Sequence, residues 1–535
     1  MSPAAKRRLG WLAVLAACIV GAGLRSLALG KDVNWDLKNY HYYNAWALLH
    51  GRLGFDVAPA QLQTYHYPFI ELPFYGLVHA IPDPRGVAFL MALPTGVAAF
   101  FLLRILLLIF PMDRFRANGA FWLAASALIG LTGAAGAAAW GTTMNEWPSA
   151  ALAMAALFLV VRAAMEGEDR RRFACAGAGF LMGCAVAFKL TFGVYALGLF
   201  AACAAYGTVK ARLVRPLTTG AFMALGFLLC YGPWGWILWR EFANPLFPYF
   251  NSIFQSPWWE PVDFFDRNFG PRNWRQWIFF PLYFARQHLL VAEISFRDYR
   301  LATLFVLALA SWSVSRWRNL RENPHSAAPP PLPTDAAWRV LAFFTLVSYV
   351  AWLKLFGIYR YLLVLEVLSG ALIVGCVLYL ARRGSARMAT VAILAVLLVG
   401  TTRMGWGWGR TEFGETYFDV RAPGISANAL VIVGYANPMA YAIPFFRPDA
   451  RFVSPANNLI GLGQRNRLSR QADELIRSHT GPLYLLEYKV RNGHDARTLE
   501  YFGLQAREET CLPVPSSADV GYLRICPVER RAAGG

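Results

Sequence analysis

The residues that invite a chemical reading begin at Val33-Asn-Trp-Asp36-Leu-Lys-Asn-Tyr40-His-Tyr-Tyr-Asn-Ala-Trp-Ala-Leu-Leu-His-Gly51. Asp36 can start a helix that Gly51 ends at its C′ position. In that helix Asp36, Tyr40, Tyr43 and Ala47 share one face, while Leu37, Trp46, Leu48 and Leu49 can lie against lipid headgroups. Asp36 is then either a carboxylate displayed beside a membrane or simply the N-cap of the helix. Downstream follow Gln61, Gln63, Tyr65, His66 and Glu71. Glu71 reads as a second acid or metal ligand, or as a solvated loop carboxylate; His41 and His66 can meet in space. The cations of interest are Arg360, Lys354 and Lys189. A guanidinium can grip two oxygens of an anion at once, although Arg360 between Tyr359 and Tyr361 also suits an interfacial anchor, and both lysines suit snorkelling. Asn145 and Glu146, in a short connection from Trp140 to Trp147, can line a pocket or cap a helix.

What must position these groups is a membrane bundle. Of 535 residues 57% are hydrophobic and 16% charged, with a mean hydropathy of +0.37. Soluble chains carry roughly 25% charged residues, so disorder, coiled coil and collagen are excluded. The formal charge of +19 follows from Lys and Arg gathering on one membrane side and does not require nucleic acid. A crossing needs about 20 apolar residues. Eleven stretches qualify: 9–29, 87–110, 118–138, 147–164, 173–190, 191–209, 217–239, 300–317, 338–355, 361–381 and 388–403. The first follows Lys6-Arg7-Arg8, yet Arg25 and the lack of a small-x-small cleavage site favour a retained anchor over a signal peptide.

A cytoplasmic N-terminus places Lys6, Arg7, Arg8, Arg114, Arg116, Arg162, Arg170, Arg171, Arg172, Lys210, Arg212, Arg215, Arg316, Arg318, Arg321, Arg339, Arg382, Arg383 and Arg387 inside, and leaves Lys189, Lys354 and Arg360 in the short outer connections. That asymmetry puts the C-terminus outside. Residues 30–86, 240–299 and a tail 404–535 are then extracytoplasmic, and the Pro-rich stretch Pro324 to Pro333 is a cytoplasmic linker. The second loop is aromatic (Phe247, Tyr249, Phe250, Phe254, Trp258, Trp259, Phe264, Phe265, Trp274, Trp277) and reads as an interfacial belt before a sugar platform. Its Asp263, Asp266 and Glu293 can contact an acceptor.

The tail changes period. Strands are predicted at 429–434, 451–454, 481–487 and 522–526, and a helix over Ser469 to Ser478. The fold class is therefore an α-helical polytopic membrane protein, core 1–403, with a small extracytoplasmic α/β domain at 404–535. Six cysteines (Cys18, Cys175, Cys184, Cys203, Cys230, Cys376) fall in spans; Cys511 and Cys526 lie in the tail, as a disulfide in an oxidising compartment or as two buried thiols.

An acid just after the first span, an aromatic amphipathic helix ending in Gly, a many-span core and a soluble C-terminal domain together resemble the GT-C superfamily of membrane glycosyltransferases. Asn244-Pro-Leu-Phe-Pro-Tyr-Phe-Asn251 and Gly357-Ile-Tyr-Arg-Tyr361 are similar to segments of bacterial members. The resemblance covers most of residues 1–403. It departs at one point: many relatives carry two adjacent acids in the first loop, and here Leu37 follows Asp36, which leaves a divalent metal open as a cofactor rather than expected.

The resemblance implies transfer of a sugar from a polyprenyl-phosphate donor to a glycan, lipid or protein acceptor on the outer, periplasmic face of a bacterial-type inner membrane. The acceptor hydroxyl must lose a proton as it attacks an oxocarbenium-like centre. Asp36 is the expected base, with Arg360, then Lys354 and Lys189, holding the departing phosphate. Tyr40, His41, His66, Glu71, Asn145 and Glu146 would line the pocket. The main alternative is a transporter or flippase for lipid-linked saccharides; a third is a scaffold binding an envelope partner. Charges gather at span ends rather than deep inside them, which favours the enzyme. No P-loop, HExxH or cysteine–histidine zinc spacing occurs, Gly405-Trp-Gly-Trp-Gly409 follows a span and not a strand, and no internal repeat supports an inverted-repeat transporter.

Overall fold

The computed structural model describes residues 2–111, 118–165, 168–264, 266, 268–321, 336–381, 383–405, 409–435, 437–519 and 522–531. Arg114, Arg116, Phe265, Pro324 to Pro333, Arg382 and the centre of the Gly405–Gly409 motif lie outside them. Among the described residues seven helices are long and apolar enough to cross a membrane: Pro3–Leu29, Pro84–Ile109, Glu146–Met165, Val209–Phe242, Ala336–Leu355, Tyr359–Leu380 and Gly384–Thr401. Shorter apolar helices at Gly119–Leu131, Phe173–Phe188 and Leu190–Ala204, with the helix Arg300–Arg321, stand at the remaining predicted stretches. The chain is an integral membrane protein.

Side-chain size sets the packing order. The helix Tyr359–Leu380 is 89% buried along its apolar window and Glu146–Met165 is 72% buried, whereas Pro3–Leu29 and Gly384–Thr401 are only 17% buried. The first pair forms the centre; the second pair presents Leu and Val outward, to lipid. Close approach is made by small residues: a Cβ on Gly183 would stand 2.1 Å from the Met223 carbonyl, and one on Gly226 would stand 2.3 Å from that of Phe180. Only glycine permits the helices Glu168–Phe188 and Val209–Phe242 to touch there.

At one end of the bundle the first loop, the second loop and the tail build a single body. Two short strands, β1 (Lys31–Asp32) and β2 (Arg410–Thr411), pair antiparallel and tie the end of the first span to the start of the tail. The tail itself carries a mixed sheet of β3 (Leu430–Val433), β4 (Arg451–Val453), β5 (Leu483–Tyr488), β6 (Leu504–Ala506), β7 (Leu512–Pro513) and β8 (Leu523–Arg530), in the order β4-β3-β5-β8-β6 with β7 also on β8. β3 runs parallel to β4 and β5, while β8 is antiparallel to its neighbours. All four side chains of β3 are buried, as expected of a strand covered on both faces. The helix Arg467–Ser478 is capped by Asn466, and a disulfide joins Cys511 to Cys526.

The core of the tail is continuous with the loops. Leu37, Tyr42 and Trp46 pack with Phe418, Tyr441, Val431 and Ile525, and on the other sheet face Val57, Trp234, Phe247 and Trp259 pack with Leu430, Leu485 and Ile476. Val57 bridges to Val453, and the buried pair Arg52–Asp56 (2.7 Å) binds the Pro448 and Ala450 carbonyls and the Phe452 amide. Two expectations are thereby corrected. Leu37 and Trp46 do not face lipid headgroups; the tail covers them, although Leu49 is exposed. The second-loop aromatics divide: Trp274 and Trp277 are exposed as a belt would be, but Phe247 and Trp259 are interior. Burial beneath a domain contributed so much later in the sequence cannot be read from local pattern.

Candidate active site

Four connections bring charged groups together at this end of the bundle. The first is the helical turn after the first span. It opens on Asn34, whose Oδ1 accepts from the Leu37 amide. Asp36 makes no capping bond, so the N-cap reading of Asp36 is corrected: the side chain two residues earlier does that work. Leu37–His41 then winds as a π-helix, a local widening that recurs at functional sites. It ends where predicted, with Gly51 at φ +62°.

The second connection is the turn after the helix Ala336–Leu355. Gly357, at φ +70°, approaches Gly270 of the second loop so closely that a Cβ would stand 2.7 Å from its Cα. A 3-10 turn, Tyr359–Leu362, follows and delivers Arg360. Its Nη1 donates to Asp36 Oδ2 at 2.8 Å, and its Nε stands 3.8 Å from Glu146 Oε1. Glu146, at the start of its helix, accepts from Lys189 Nζ at 2.5 Å. Charges thus alternate along Asp36, Arg360, Glu146 and Lys189, with the Tyr361 ring beside both cations.

A neutral and acidic group adjoins them. His41 Nδ1 lies 2.7 Å from Glu71 Oε2, and Asn145 Nδ2 donates to Glu71 Oε1 at 2.9 Å. The Tyr40 ring sits 4.1 Å from that of His41 and 5.2 Å from that of His66, whose Nε2 is 2.9 Å from the Tyr249 hydroxyl. Electrostatics follow from this crowding. Burial opposes ionisation of Asp36, but Arg360, His41 and Lys189 outweigh it and hold its carboxyl below the usual value. Burial pushes His66 down to about 3, so it is neutral at ordinary pH. Burial, then the charges of Asp36 and Glu71, raise the Tyr40 phenol well above its usual value.

The structure gathers Asp36, Arg360, Lys189, Glu146, Tyr40, His41, His66, Glu71 and Asn145. It does not gather Lys354, which is exposed with its Nζ over the Trp277 ring at 5.9 Å; that assignment is corrected to an interfacial lysine. Asp36 and Arg360, the expected base and phosphate holder, are in direct contact. No site role is read from the sequence for Tyr249, Tyr361 or Asn34, and Tyr249 reads there as part of an aromatic belt. Tyr361 adjoins Arg360 in sequence, but nothing local joins Tyr249 to His66 across 183 positions. Among the described residues no three His, Cys, Asp or Glu side chains are placed to share a metal ion. Asp36 and Glu146 are each engaged by a cation.

No protein-family model matches the chain, and no curated protein matches it in sequence. Solved structures do resemble it. ArnT from Cupriavidus metallidurans bound to undecaprenyl phosphate aligns over 98% of this chain and 99% of its own, at 12% identity and a TM-score of 0.50. The same protein in the apo state aligns over 97% and 98% at 13% identity and 0.41. The Archaeoglobus fulgidus oligosaccharyltransferase, in complex with Zn and sulfate, aligns over 88% and 67% at 12% identity and 0.44. Of these, the first shows a shared fold, over nearly the whole length of both chains.

Proposed function

We propose that this chain is a membrane glycosyltransferase that moves a sugar from a polyprenyl-phosphate donor to an extracytoplasmic acceptor, in a bacterial-type inner membrane with the N-terminus cytoplasmic. The observation that carries the reading is the 2.8 Å contact of Asp36 with Arg360. It supports reading Asp36 as a base and Arg360 as an oxyanion holder, in a chain whose fold resembles that of a protein bound to undecaprenyl phosphate.

The contact also supplies an order of events. While paired, Asp36 is held ionised and is a weak base. A donor phosphate that takes the Arg360 guanidinium removes that partner and brings negative charge near Asp36, and both changes raise its basicity. The acceptor hydroxyl then gives its proton to Asp36 as its oxygen bonds the anomeric carbon. The bond from that carbon to the phosphate oxygen breaks, and the polyprenyl phosphate leaves with its charge on Arg360 and Lys189. Glu146 sits between the two cations and fixes their spacing. His41, oriented by Glu71, and the neutral His66 line the sugar's side of the pocket with Tyr40.

The test is purified full-length protein with labelled polyprenyl-phosphate sugars, comparing wild type with Asp36→Asn and Arg360→Ala. Loss of transfer in both, with folding retained, is the expected result. Full transfer by Asp36→Asn sinks the base assignment. Passage of intact labelled lipid across vesicles, with no donor consumed, would establish the transporter reading instead.

A further inference from the structure

A second cationic site lies apart from the charge chain just described. A cavity of about 850 Å³ opens where the helix Arg300–Arg321 begins and the helix Gly384–Thr401 has just ended, lined by Arg286, Arg297 and Arg403 with His288, Phe296 and Met404. Mutual backbone hydrogen bonds between Arg297 and Arg403, at 2.9 and 3.0 Å, fix two of its walls. Among the described residues none of the three guanidiniums lies within ion-pair distance of a carboxylate. Asp298 is taken by Arg300 at 2.8 Å, and Glu293 is exposed and does not line the cavity. All three arginines are exposed, and Arg403 Nη1 also donates to the Gly400 and Thr402 carbonyls at 3.0 and 3.1 Å; three like charges lining one hollow make a positive surface that attracts an anion.

The approach to this cavity is built for a lipid. The helix Trp274–Phe284 leads directly to Arg286, burying Gln276, Phe280 and Phe284 and exposing Trp274, Trp277, Ile278 and Leu282. The backbone leaves helical geometry at Phe279, and Pro281 beyond it is buried; before that break Trp274, Trp277 and Ile278 fall on one stripe, the pattern of a helix lying in the membrane surface. Acyl chains can therefore run along the stripe while a headgroup reaches the arginines at the level where spans emerge. We infer that this cavity binds the phosphate of an anionic membrane lipid, as a site distinct from Asp36 and Arg360 and independent of whether sugar transfer occurs. It is linked to them physically: the Phe296 ring packs at 4.5 Å on Tyr359, the residue before Arg360.

The test is native mass spectrometry of detergent-solubilised full-length protein titrated with dioctanoyl phosphatidylglycerol, dioctanoylglycerol and inorganic phosphate. Wild type is expected to hold phosphatidylglycerol and not dioctanoylglycerol. The triple variant Arg286→Gln, Arg297→Gln, Arg403→Gln should bind it about tenfold or more weakly, because charge-assisted hydrogen bonds are lost; the corresponding Lys variants should keep more of the affinity. If the triple variant does not fold, Arg297→Gln and Arg403→Gln singly read the same loss. Undiminished binding by the Gln variants, or equal binding of dioctanoylglycerol, overturns the site. Displacement of the lipid by equimolar inorganic phosphate overturns its assignment to a lipid.

Discussion

Arg300 and Arg360 each stand at a span terminus against an aspartate, yet they are satisfied to very different degrees. The Arg300 side chain is fully buried and donates to the Ile129 carbonyl, Asp298, Thr402 and Thr132 at 2.6 to 2.8 Å. Asp298 is filled as well, accepting from the Ala134 amide at 2.9 Å. Arg360 is 24% exposed and makes one short bond, to Asp36; its Nε is buried without a hydrogen-bond partner. A guanidinium has five N–H donors. The first arginine has little left to offer a ligand and locks helices together; the second keeps donors in reserve beside a carboxylate. Exposure and incomplete pairing, rather than the ion pair as such, set the arginine proposed to bind phosphate apart from the structural one.

The comparison can be broken at several points. Asp36→Asn should lower transfer by roughly 10²–10⁴, the usual contribution of a general base, with unfolding temperature little changed. Arg300→Met should do the reverse. It leaves Asp298 buried and unpaired, costs about 3–5 kcal/mol, and should appear as a large drop in thermal unfolding in detergent. An Arg300→Met protein as stable as wild type yet inactive would erase the distinction. Arg360→Lys keeps the charge and loses the fork, so the donor KM should rise about tenfold with a smaller change in kcat.

A pH profile sharpens the order of events. In free enzyme Asp36 lies below its usual value, so kcat/KM should stay level as pH falls until below about 4, the ordinary Asp value. If the donor phosphate takes Arg360 as proposed, the Asp36 carboxyl rises, so the acid limb of kcat should lie at higher pH than that of kcat/KM. Coincident limbs would mean that the pair does not open. Lys354→Ala, by contrast, removes only an exposed cation–π contact and should change transfer by less than about twofold.

Much of this was legible because the chain is so poor in charge. In a sequence where apolar runs mark each helix, an acid after the first run and an arginine in a tight connection stand out, and alternating patterns locate β3, β4, β5 and β8 within a few residues but miss β6, β7 and the helix Gly493–Tyr501. Three features were not legible. Asn34 and Asp36 are both good capping residues, and the π-turn that gives the cap to Asn34 has no local signature. Lys354 and Lys189 both stand at the C-terminal ends of apolar helices; which one meets Glu146 depends on how those helices sit in the bundle. The interior position of Leu37 and Trp46 depends on strands contributed by the tail.

The pairing of β1 with β2 bears on when the first loop becomes ordered. The strand immediately before Asn34 has its partner almost four hundred positions downstream, and the Val57–Val453 bridge secures the same segment again. A nascent chain lacking its last quarter would hold this segment only through bundle contacts such as those of Thr143 with Asp32 and of Arg360 with Asp36. Full ordering of the segment therefore arrives late in synthesis, with the closing of the final strands.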